Sequence, residues 1–147
     1  MYRNLLVPVD GSDLSERAIN GSLELAKQLG ASITAFVAEP PLPLPAVGRS
    51  ANLVEMESNL HDARTACHAQ EVLARFEARA RNAGVGFTGH HVQAPIVEDA
   101  IVSAAKKHGC DMIVMATHGR STLGELLFGA HTKGVMARSK LPLLVLQ

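Results

Sequence analysis

A strand–helix–strand unit at the start of the chain constrains its fold most strongly. Residues 5–9 (LLVPV) are a short continuous apolar run, typical of a strand that is covered on both faces. The turn and helix-capping residues 10–13 (DGSD) follow, and apolar residues then recur at helical spacing until Gly30. Residues 31–38 (ASITAFVA) are apolar and β-branched, which predicts a second strand. This order predicts a right-handed βαβ unit.

The same alternation continues to the end of the chain. A proline-rich loop is predicted over residues 39–52, because proline removes backbone donors. The later elements are predicted as a long helix ending at Gly84, a strand over 86–93, a helix from Pro95 to Gly109, a strand over 110–116, a helix ending near Arg138 and a strand over 142–146. The long helix exceeds the size of such a domain, so we expect its start, residues 46–58, to bend or fray. The pattern predicts an α/β fold: a single-domain, open five-stranded parallel sheet with helices on both faces, Rossmann-like.

Composition narrows the class of protein. The 147 residues are expected to form one domain, 1–147, and 14 basic against 14 acidic side chains argue against a nucleic-acid-binding protein. The chain has no apolar run near the roughly 20 residues of a membrane span and no signal-peptide pattern at its N-terminus. Cys67 and Cys110 lack CxxC spacing, which favours a reducing compartment, and the protein is therefore predicted to be cytoplasmic.

Two polar, glycine-bearing loops follow predicted strands, at residues 10–12 and 117–121. If the two strands are neighbours where the strand order reverses, both loops line one crevice, the usual ligand site of an open parallel sheet. Basic residues exceed acidic ones by three between residues 117 and 140, with Arg120, Lys133, Arg138 and Lys140 against Glu125. Glycine loops and a helix N-terminus suit a phosphate. The crevice is therefore a candidate anion site, although the basic residues could equally form a solvated helix face.

Three motifs together resemble the universal stress protein (UspA-type) family. They are residues 8–12 (PVDGS), residues 115–121 (MATHGRS) and residues 127–130 (LFGA), the last placed ahead of the terminal apolar strand. The resemblance covers essentially the whole chain. It implies the strand order 3-2-1-4-5, a homodimer and a role in stress survival. In the nucleotide-binding branch of that family, the pattern Gly-x-x-Gly, nine residues, Gly-Ser/Thr wraps the triphosphate of ATP.

The nucleotide-binding pattern of the family matches this chain in part. Gly119 and Gly129 take the second and third glycines, whereas Ala116 replaces the first glycine and Ala130 replaces the hydroxyl residue. Loss of that hydroxyl removes a hydrogen bond to phosphate worth about 1.5–3 kcal/mol. Asp10 matches the acid that contacts ribose, with adenine bracketed by two valines. The site predicted in this way comprises Pro8, Val9, Asp10, Val37, Ala116, Thr117, His118, Gly119, Arg120, Gly129, Ala130, His131 and Thr132.

Some of these residues also have a purely structural interpretation. Asp10 could cap the first helix together with Ser12 or Asp13, and His118 and His131 could cap turns rather than contact phosphate. The histidines lack the spacing of a metal site, so no metal ligands are predicted.

The sequence thus predicts a small stress-response module that binds ATP, with Mg²⁺ as a companion ion. The alternative is a nucleotide-free dimeric interaction protein on the same fold. An enzyme is disfavoured beyond slow ATP hydrolysis, because no nucleophile–base pair is evident. The apolar strand over residues 142–146 is predicted to be the homodimer interface, since an apolar edge needs a partner.

Overall fold

The computed structural model describes residues 1–45, 47–117 and 130–147. Within these ranges five strands alternate with four helices. The strands are β1 (Asn4–Pro8), β2 (Ser32–Glu39), β3 (Phe87–Gln93), β4 (Met112–Ala116) and β5 (Leu143–Leu146). The helices are α1 (Asp13–Leu29), α2 (Ala51–Ala83), α3 (Val97–Lys107) and α4 (Ala130–Arg138). All strand pairs are parallel, in the order β3-β2-β1-β4-β5. The predicted fold class and strand order are confirmed.

The first βαβ unit forms because its turn and cap residues stand where the helix needs them. Ser12 is the N-cap of α1, and its side chain accepts a hydrogen bond from the Ser15 N–H at 3.4 Å. Gly30 ends the helix with φ of 65°, and its N–H donates to the carbonyl of Ala26. This left-handed conformation is costly for residues with a Cβ and is open to glycine. The prediction that the first helix ends at Gly30 is confirmed.

The sheet separates two hydrophobic cores. Alternate side chains of β1 point to opposite faces: Leu5 and Val7 pack under α1 and α2, whereas Leu6 packs under α3. On the first face Phe76 of α2 meets Phe87 of β3 edge to face, with ring centroids 5.2 Å apart. Both faces are covered, which explains why the central strands read as continuous apolar runs.

The pairing between β1 and β4 is short. Only Leu5 with Met112 and Leu6 with Ile113 are in register, whereas β1 pairs with β2 over five residues. The register of the two strands ends at the pair of Leu6 with Ile113, before their carboxyl ends. The unpaired carboxyl ends of β1 and β4 lie where the strand order reverses, and residues of both line the cleft described below.

Helix α2 differs from its prediction. It runs without interruption from Ala51 to Ala83, so the proline-rich loop ends at residue 50 rather than 52, and fraying over residues 51–58 is wrong. The first buried residue of α2 is Ala69, and the earlier turns expose Leu53 and Met56 to solvent. The helix therefore extends past the core that it covers. Arg49 forms an ion pair with Glu57 over its first turns.

None of the helices in the described ranges is both long enough and apolar enough to cross a membrane.

Candidate functional site

A cleft of about 370 Å³ lies at the carboxyl ends of β1, β2 and β4. This volume falls within the range of small-molecule sites. The described residues that line it are Pro8, Val9, Asp10, Ser12, Leu14, Ser15, Ala18, Phe36, Ala38, Glu39, Pro40, Val97, Ile101, Met115, Ala116, His131 and Thr132. Its position is the one that the reversal of strand order predicts for a ligand.

One part of the cleft is apolar. β2 contributes Phe36 and Ala38, α3 contributes Val97 and Ile101, and β4 contributes Met115. All five side chains belong to, or pack against, the core on the α3 side of the sheet. This part of the cleft can therefore enclose a flat, largely apolar group such as an aromatic ring.

Asp10 follows β1 and organises the turn that leads into α1. Its Oδ1 accepts hydrogen bonds from the Ser12 N–H at 2.9 Å and from the Ser15 hydroxyl at 2.7 Å. The Asp10 N–H in turn donates to Ser15 Oγ at 2.7 Å. Burial raises the pKa of Asp10, but the hydrogen bonds from Ser12 and Ser15 outweigh it, so the pKa lies below its ordinary value. The cleft therefore has a carboxylate at one side.

These contacts bear on both interpretations of Asp10. The N-cap of α1 is Ser12, whereas Asp10 bonds the N–H two residues ahead, as in an Asx turn. The His68 ring nitrogen Nε2 also donates to the Asp10 carbonyl oxygen at 2.8 Å, which ties this turn to α2. Asp10 thus shapes the turn and lines the cleft as well.

Gly11 is the residue of this turn that tolerates no side chain. Its φ is +85°, and a Cβ there would lie 3.0 Å from both the His68 ring and the Val72 side chain. Both the backbone conformation and the close approach of α2 require glycine.

The first turn of α4 forms the opposite side of the cleft. Ala130 is the first residue of the helix, and His131 and Thr132 line the cleft. His131 Nδ1 lies 2.9 Å from Glu98 Oε1 of α3. The pKa of Glu98 lies below its ordinary value. The larger cause is the hydrogen bond from the backbone N–H of Glu98 itself, and the next is the hydrogen bond from His131. Backbone amides and the helix dipole at a helix N-terminus favour an anion.

The structure brings together most of the described residues that the sequence predicted. Pro8, Val9, Asp10, Ala116, His131 and Thr132 line the cleft, and Ala130 begins α4 beside them. Thr117 is buried directly after β4, where its N–H donates to the Leu146 carbonyl at 2.8 Å. The predicted residues His118, Gly119, Arg120 and Gly129 lie outside the described residues.

The prediction for Val37 is wrong. Its side chain is fully buried in the core under α1 and α2, on the far face of the sheet. Because strand side chains alternate, the neighbours Phe36 and Ala38 line the cleft instead. The alternation of side chains along the strand would have indicated Phe36 and Ala38, once the face of the sheet that carries the site was known.

Several lining residues were missed altogether. Val97 and Ile101 show the spacing of an ordinary buried helix face, which carries no sign of a ligand. Glu39 and Pro40 stand at the start of the proline-rich segment, which the sequence predicted only as a loop. The contribution of these residues arises from tertiary packing and not from a local motif.

The basic cluster does not enter the cleft in the described part of the chain. Lys133, Arg138 and Lys140 are exposed and are not lining residues. Arg138 Nε is 2.7 Å from Asp99 Oδ1 of α3. These three side chains therefore fit a solvated helix face better than an anion site. In the same described ranges, no group of three or more His, Cys, Asp or Glu side chains could hold a metal ion.

Fold and cleft together define an α/β protein with a ligand site at the reversal point of a parallel sheet. The model of the universal stress protein family matches residues 1–147. A universal stress protein of Mycobacterium tuberculosis is 30% identical over 146 residues, covering 98% of this chain and 95% of the relative. The chain belongs to the universal stress protein family.

Solved structures agree on the fold. A universal stress protein from Lactobacillus plantarum superposes with a TM-score of 0.79 at 24% identity, covering 99% of this chain and 98% of that one. A universal stress protein solved in complex with cAMP gives a TM-score of 0.70 at 26% identity, with coverage of 99% of this chain and 97% of that one. A relative from Archaeoglobus fulgidus in complex with dAMP gives 0.67 at 22% identity, with coverage of 99% and 98%.

Proposed function

We propose that this protein is an adenine-nucleotide-binding stress protein that holds ATP, accompanied by Mg²⁺, in the cleft. The observation that carries the proposal is the make-up of the cleft: an apolar part, the carboxylate of Asp10 and the N-terminus of α4 surround one volume of about 370 Å³. A nucleotide has three matching parts, namely a flat base, a sugar with hydroxyl donors and an anionic phosphate group.

Each part of the nucleotide has a partner in this arrangement. The base suits the apolar part between Ala38 of β2 and Ile101 of α3. Asp10 accepts from a ribose hydroxyl, and its lowered pKa keeps the carboxylate ionised. The phosphates suit the first turn of α4, with the Thr132 hydroxyl beside them. Relatives solved with cAMP and dAMP support an adenine nucleotide as the ligand class.

Ala116 and Ala130 depart from the nucleotide-binding pattern of the family, and these departures determine the affinity that we expect for ATP. Ala116 lines the cleft at the end of β4, and Ala130 opens α4 without the family's hydroxyl. Backbone N–H groups of a first helical turn bind phosphate without that hydroxyl, so binding is expected to be weakened rather than lost. A loss of one charged hydrogen bond corresponds to about tenfold to hundredfold in affinity.

A second candidate function is a nucleotide-free interaction protein. It is favoured by a set of exposed apolar side chains on the proline-rich loop and the first turns of α2: Leu42, Leu44, Val47, Leu53, Met56 and Leu60. Such a surface is typical of protein contacts. We also propose that the protein is cytoplasmic, which is compatible with both candidate functions.

The nucleotide content of freshly purified protein tests the proposal. The chain has no Trp and one Tyr, so its own absorbance is weak and released adenine dominates the ultraviolet spectrum after denaturation. Thermal unfolding in the presence of ATP and Mg²⁺ tests binding at equilibrium. At a ligand concentration of 100 times Kd, binding adds about 2.7 kcal/mol to the free energy of unfolding.

A matched pair of variants locates the site. Thr132→Val keeps the size of a buried side chain in the cleft but removes its hydroxyl, and it is expected to reduce the shift with ATP. Lys140→Ala removes an exposed charge outside the cleft and is expected to leave the shift unchanged. No thermal shift at millimolar ATP in any variant would favour the interaction protein instead.

A further inference from the structure

The first turn of α4 is held by a side chain from outside the cleft. Glu98 of α3 is not among the described residues that line the cleft, but its Oε1 lies 2.9 Å from Nδ1 of His131, which does line it. An ionised carboxylate only accepts hydrogen bonds, so the imidazole is the donor. His131 directly follows Ala130, the first residue of α4. The hydrogen bond therefore joins α3 to the turn of α4 that borders the cleft.

A second contact brings the Glu98 side chain against α4. A Cβ built at Gly134 would overlap Cγ of Glu98 and lie 3.1 Å from its Cδ. The absence of a side chain at Gly134 is therefore what admits Glu98 to this place. Gly134 lies three residues after His131, a spacing that puts the two positions on one side of a helix. Glu98 thus contacts α4 twice, once through a hydrogen bond and once through close packing.

Burial distinguishes Glu98 from the neighbouring ion pair between the same two helices. The side chain of Glu98 is 17% exposed. Asp99, the next residue, pairs with Arg138 at the other end of α4, where their side chains are 55% and 44% exposed. Exposed ion pairs contribute little to stability, because water and salt screen them. Of the two acidic residues, Glu98 is therefore the one expected to fix the position of α4.

The position of this turn matters for an anion in the cleft. Backbone N–H groups of a first helical turn bind phosphate only within hydrogen-bond distance, about 2.7–3.2 Å. Because these groups belong to one rigid turn, a displacement of the turn lengthens all of their bonds to the phosphate together. The residue that holds the turn in place therefore affects the affinity without touching the ligand.

We propose that Glu98 is a positioning residue of the nucleotide site. By holding His131 and packing on Gly134, it keeps the first turn of α4 at the distance that the phosphates require. This inference rests on the proposed nucleotide binding. Glu98 acts through α4 and makes no contact with the nucleotide itself.

Two variants of Glu98 separate the hydrogen bond from the packing, with titration calorimetry of the whole chain with ATP as the measurement. Glu98→Gln keeps the length of the side chain and an acceptor oxygen, and it is expected to bind ATP nearly as tightly as wild type. Glu98→Met keeps the length but has no oxygen, and its affinity is expected to fall about tenfold. Asp99→Leu removes the carboxylate of the exposed neighbour and is expected to bind like wild type.

A double-mutant cycle shows whether Glu98 acts through His131. In a His131→Leu background the hydrogen bond is already absent, so Glu98→Met is expected to cause no further loss of affinity. A purely structural role of the Glu98 side chain would give the same loss in both backgrounds.

Gly134→Ala separates position from helix stability. Alanine favours the helix more than glycine does, but its Cβ displaces the Glu98 side chain. The affinity for ATP is therefore expected to fall about tenfold although the helix propensity rises. An unchanged affinity in this variant would contradict the role of the close packing.

The outcomes separate this inference from the function on which it rests. If Glu98→Met binds ATP as tightly as wild type, or if Asp99→Leu loses as much affinity as Glu98→Met, Glu98 does not position the turn although nucleotide binding stands. Equal losses in Glu98→Gln and Glu98→Met also overturn the assignment, because the acceptor oxygen would then be irrelevant. Circular dichroism shows that the compared variants are folded. If wild type does not bind ATP at millimolar concentration, the proposed function fails and this inference fails with it.

Discussion

Gly11 shows at the residue scale how the cleft restricts the sequence. Its backbone occupies the left-handed region, and α2 approaches so closely that a Cβ would contact His68 and Val72. The neighbouring Asp10 takes its position from the same turn. A change at Gly11 is therefore felt by the fold and by the carboxylate of the cleft together.

Gly11→Ala is expected to lower the free energy of unfolding by more than the roughly 1 kcal/mol of a left-handed alanine. Gly84→Ala is the matched control, because its φ is +70° and no described residue has an atom within 4 Å of an added Cβ. The two variants share the backbone cost, and only Gly11→Ala adds the clash. Urea unfolding curves measure the difference, and equal losses for the two variants would contradict the role of the contact with α2.

Ala130 supplies a gain-of-function prediction. Ala130→Ser restores a hydroxyl at the first residue of α4, beside the cleft, and is expected to raise the affinity for ATP about tenfold or more. Ala137→Ser adds the same hydroxyl to an exposed position later in the helix and is expected to change nothing. Titration calorimetry compares the two, and an unchanged Kd in Ala130→Ser would show that phosphate does not reach this turn.

At the scale of the element, α2 consists of two unequal halves. Its buried residues are Ala69, Val72, Phe76 and Ala80, all in the second half. The first half exposes Leu53, Met56 and Leu60. We infer that the second half supplies the stability of the helix, since most helical stability in proteins comes from packing.

Phe76→Ala is expected to cost about 3–5 kcal/mol, because the ring is fully buried against Phe87. Leu53→Ala is expected to cost about 0.5 kcal/mol or less, as an exposed position does. Hydrogen exchange provides a second measurement: amides over residues 51–60 should exchange faster than those over 69–83. Similar losses in the two variants would mean that another surface covers the first half in solution.

The stacking of His108, which follows α3, on β3 is expected to make stability depend on pH. His108, which follows α3, stacks on His90 of β3 with ring centroids 3.8 Å apart. Burial, followed by the charges of His90 and Lys107, lowers the pKa of His108. The unfolded chain therefore binds protons more readily, so stability falls as the pH drops through the ordinary histidine pKa of about 6.5.

The loss of stability between about pH 7.5 and about pH 5.5 is expected to be smaller in His108→Asn than in wild type. His61→Asn replaces a half-buried histidine of α2 that is not part of the stacked pair, and it is the control, expected to follow wild type. Urea midpoints at the two pH values provide the measurement. If all three proteins lose the same stability, the stacked pair does not cause the pH dependence.

The elements were easier to predict than the site. The order of strands and helices follows from apolar runs and periodicity, which depend on local sequence. The start of α2 was misjudged because its helical residues extend past the core, and periodicity does not show where a core ends. Val37 was misassigned by one position, since sequence alone did not fix which face of β2 meets the cleft. Val97 and Ile101 reach the cleft only through tertiary packing.

At the scale of the whole molecule, the edge of the sheet bears on assembly. β5 is an edge strand, and its four residues, Leu143–Leu146, are all partly exposed. An apolar edge with unpaired backbone groups favours pairing with another strand. We propose that β5 forms the interface of a homodimer.

Val145→Pro tests this proposal. The Pro142 and Leu146 carbonyls bond to β4, so the backbone N–H of Val145 is expected to point away from the sheet. Proline is tolerated at such an edge position but cannot pair outward. Light scattering after size-exclusion chromatography is expected to show a dimer for wild type and a monomer for the variant. A variant that remains dimeric with an unchanged unfolding curve would place the interface elsewhere.

The short ladder between β1 and β4 has a mechanical consequence. Two residue pairs join the half of the sheet that contains β2 and β3 to the half that contains β5. The cleft takes lining residues from β2 on one half and from β4 on the other. A ligand in the cleft contacts both halves of the sheet at the same time. We therefore expect ligand binding to change the rigidity of the junction between β1 and β4.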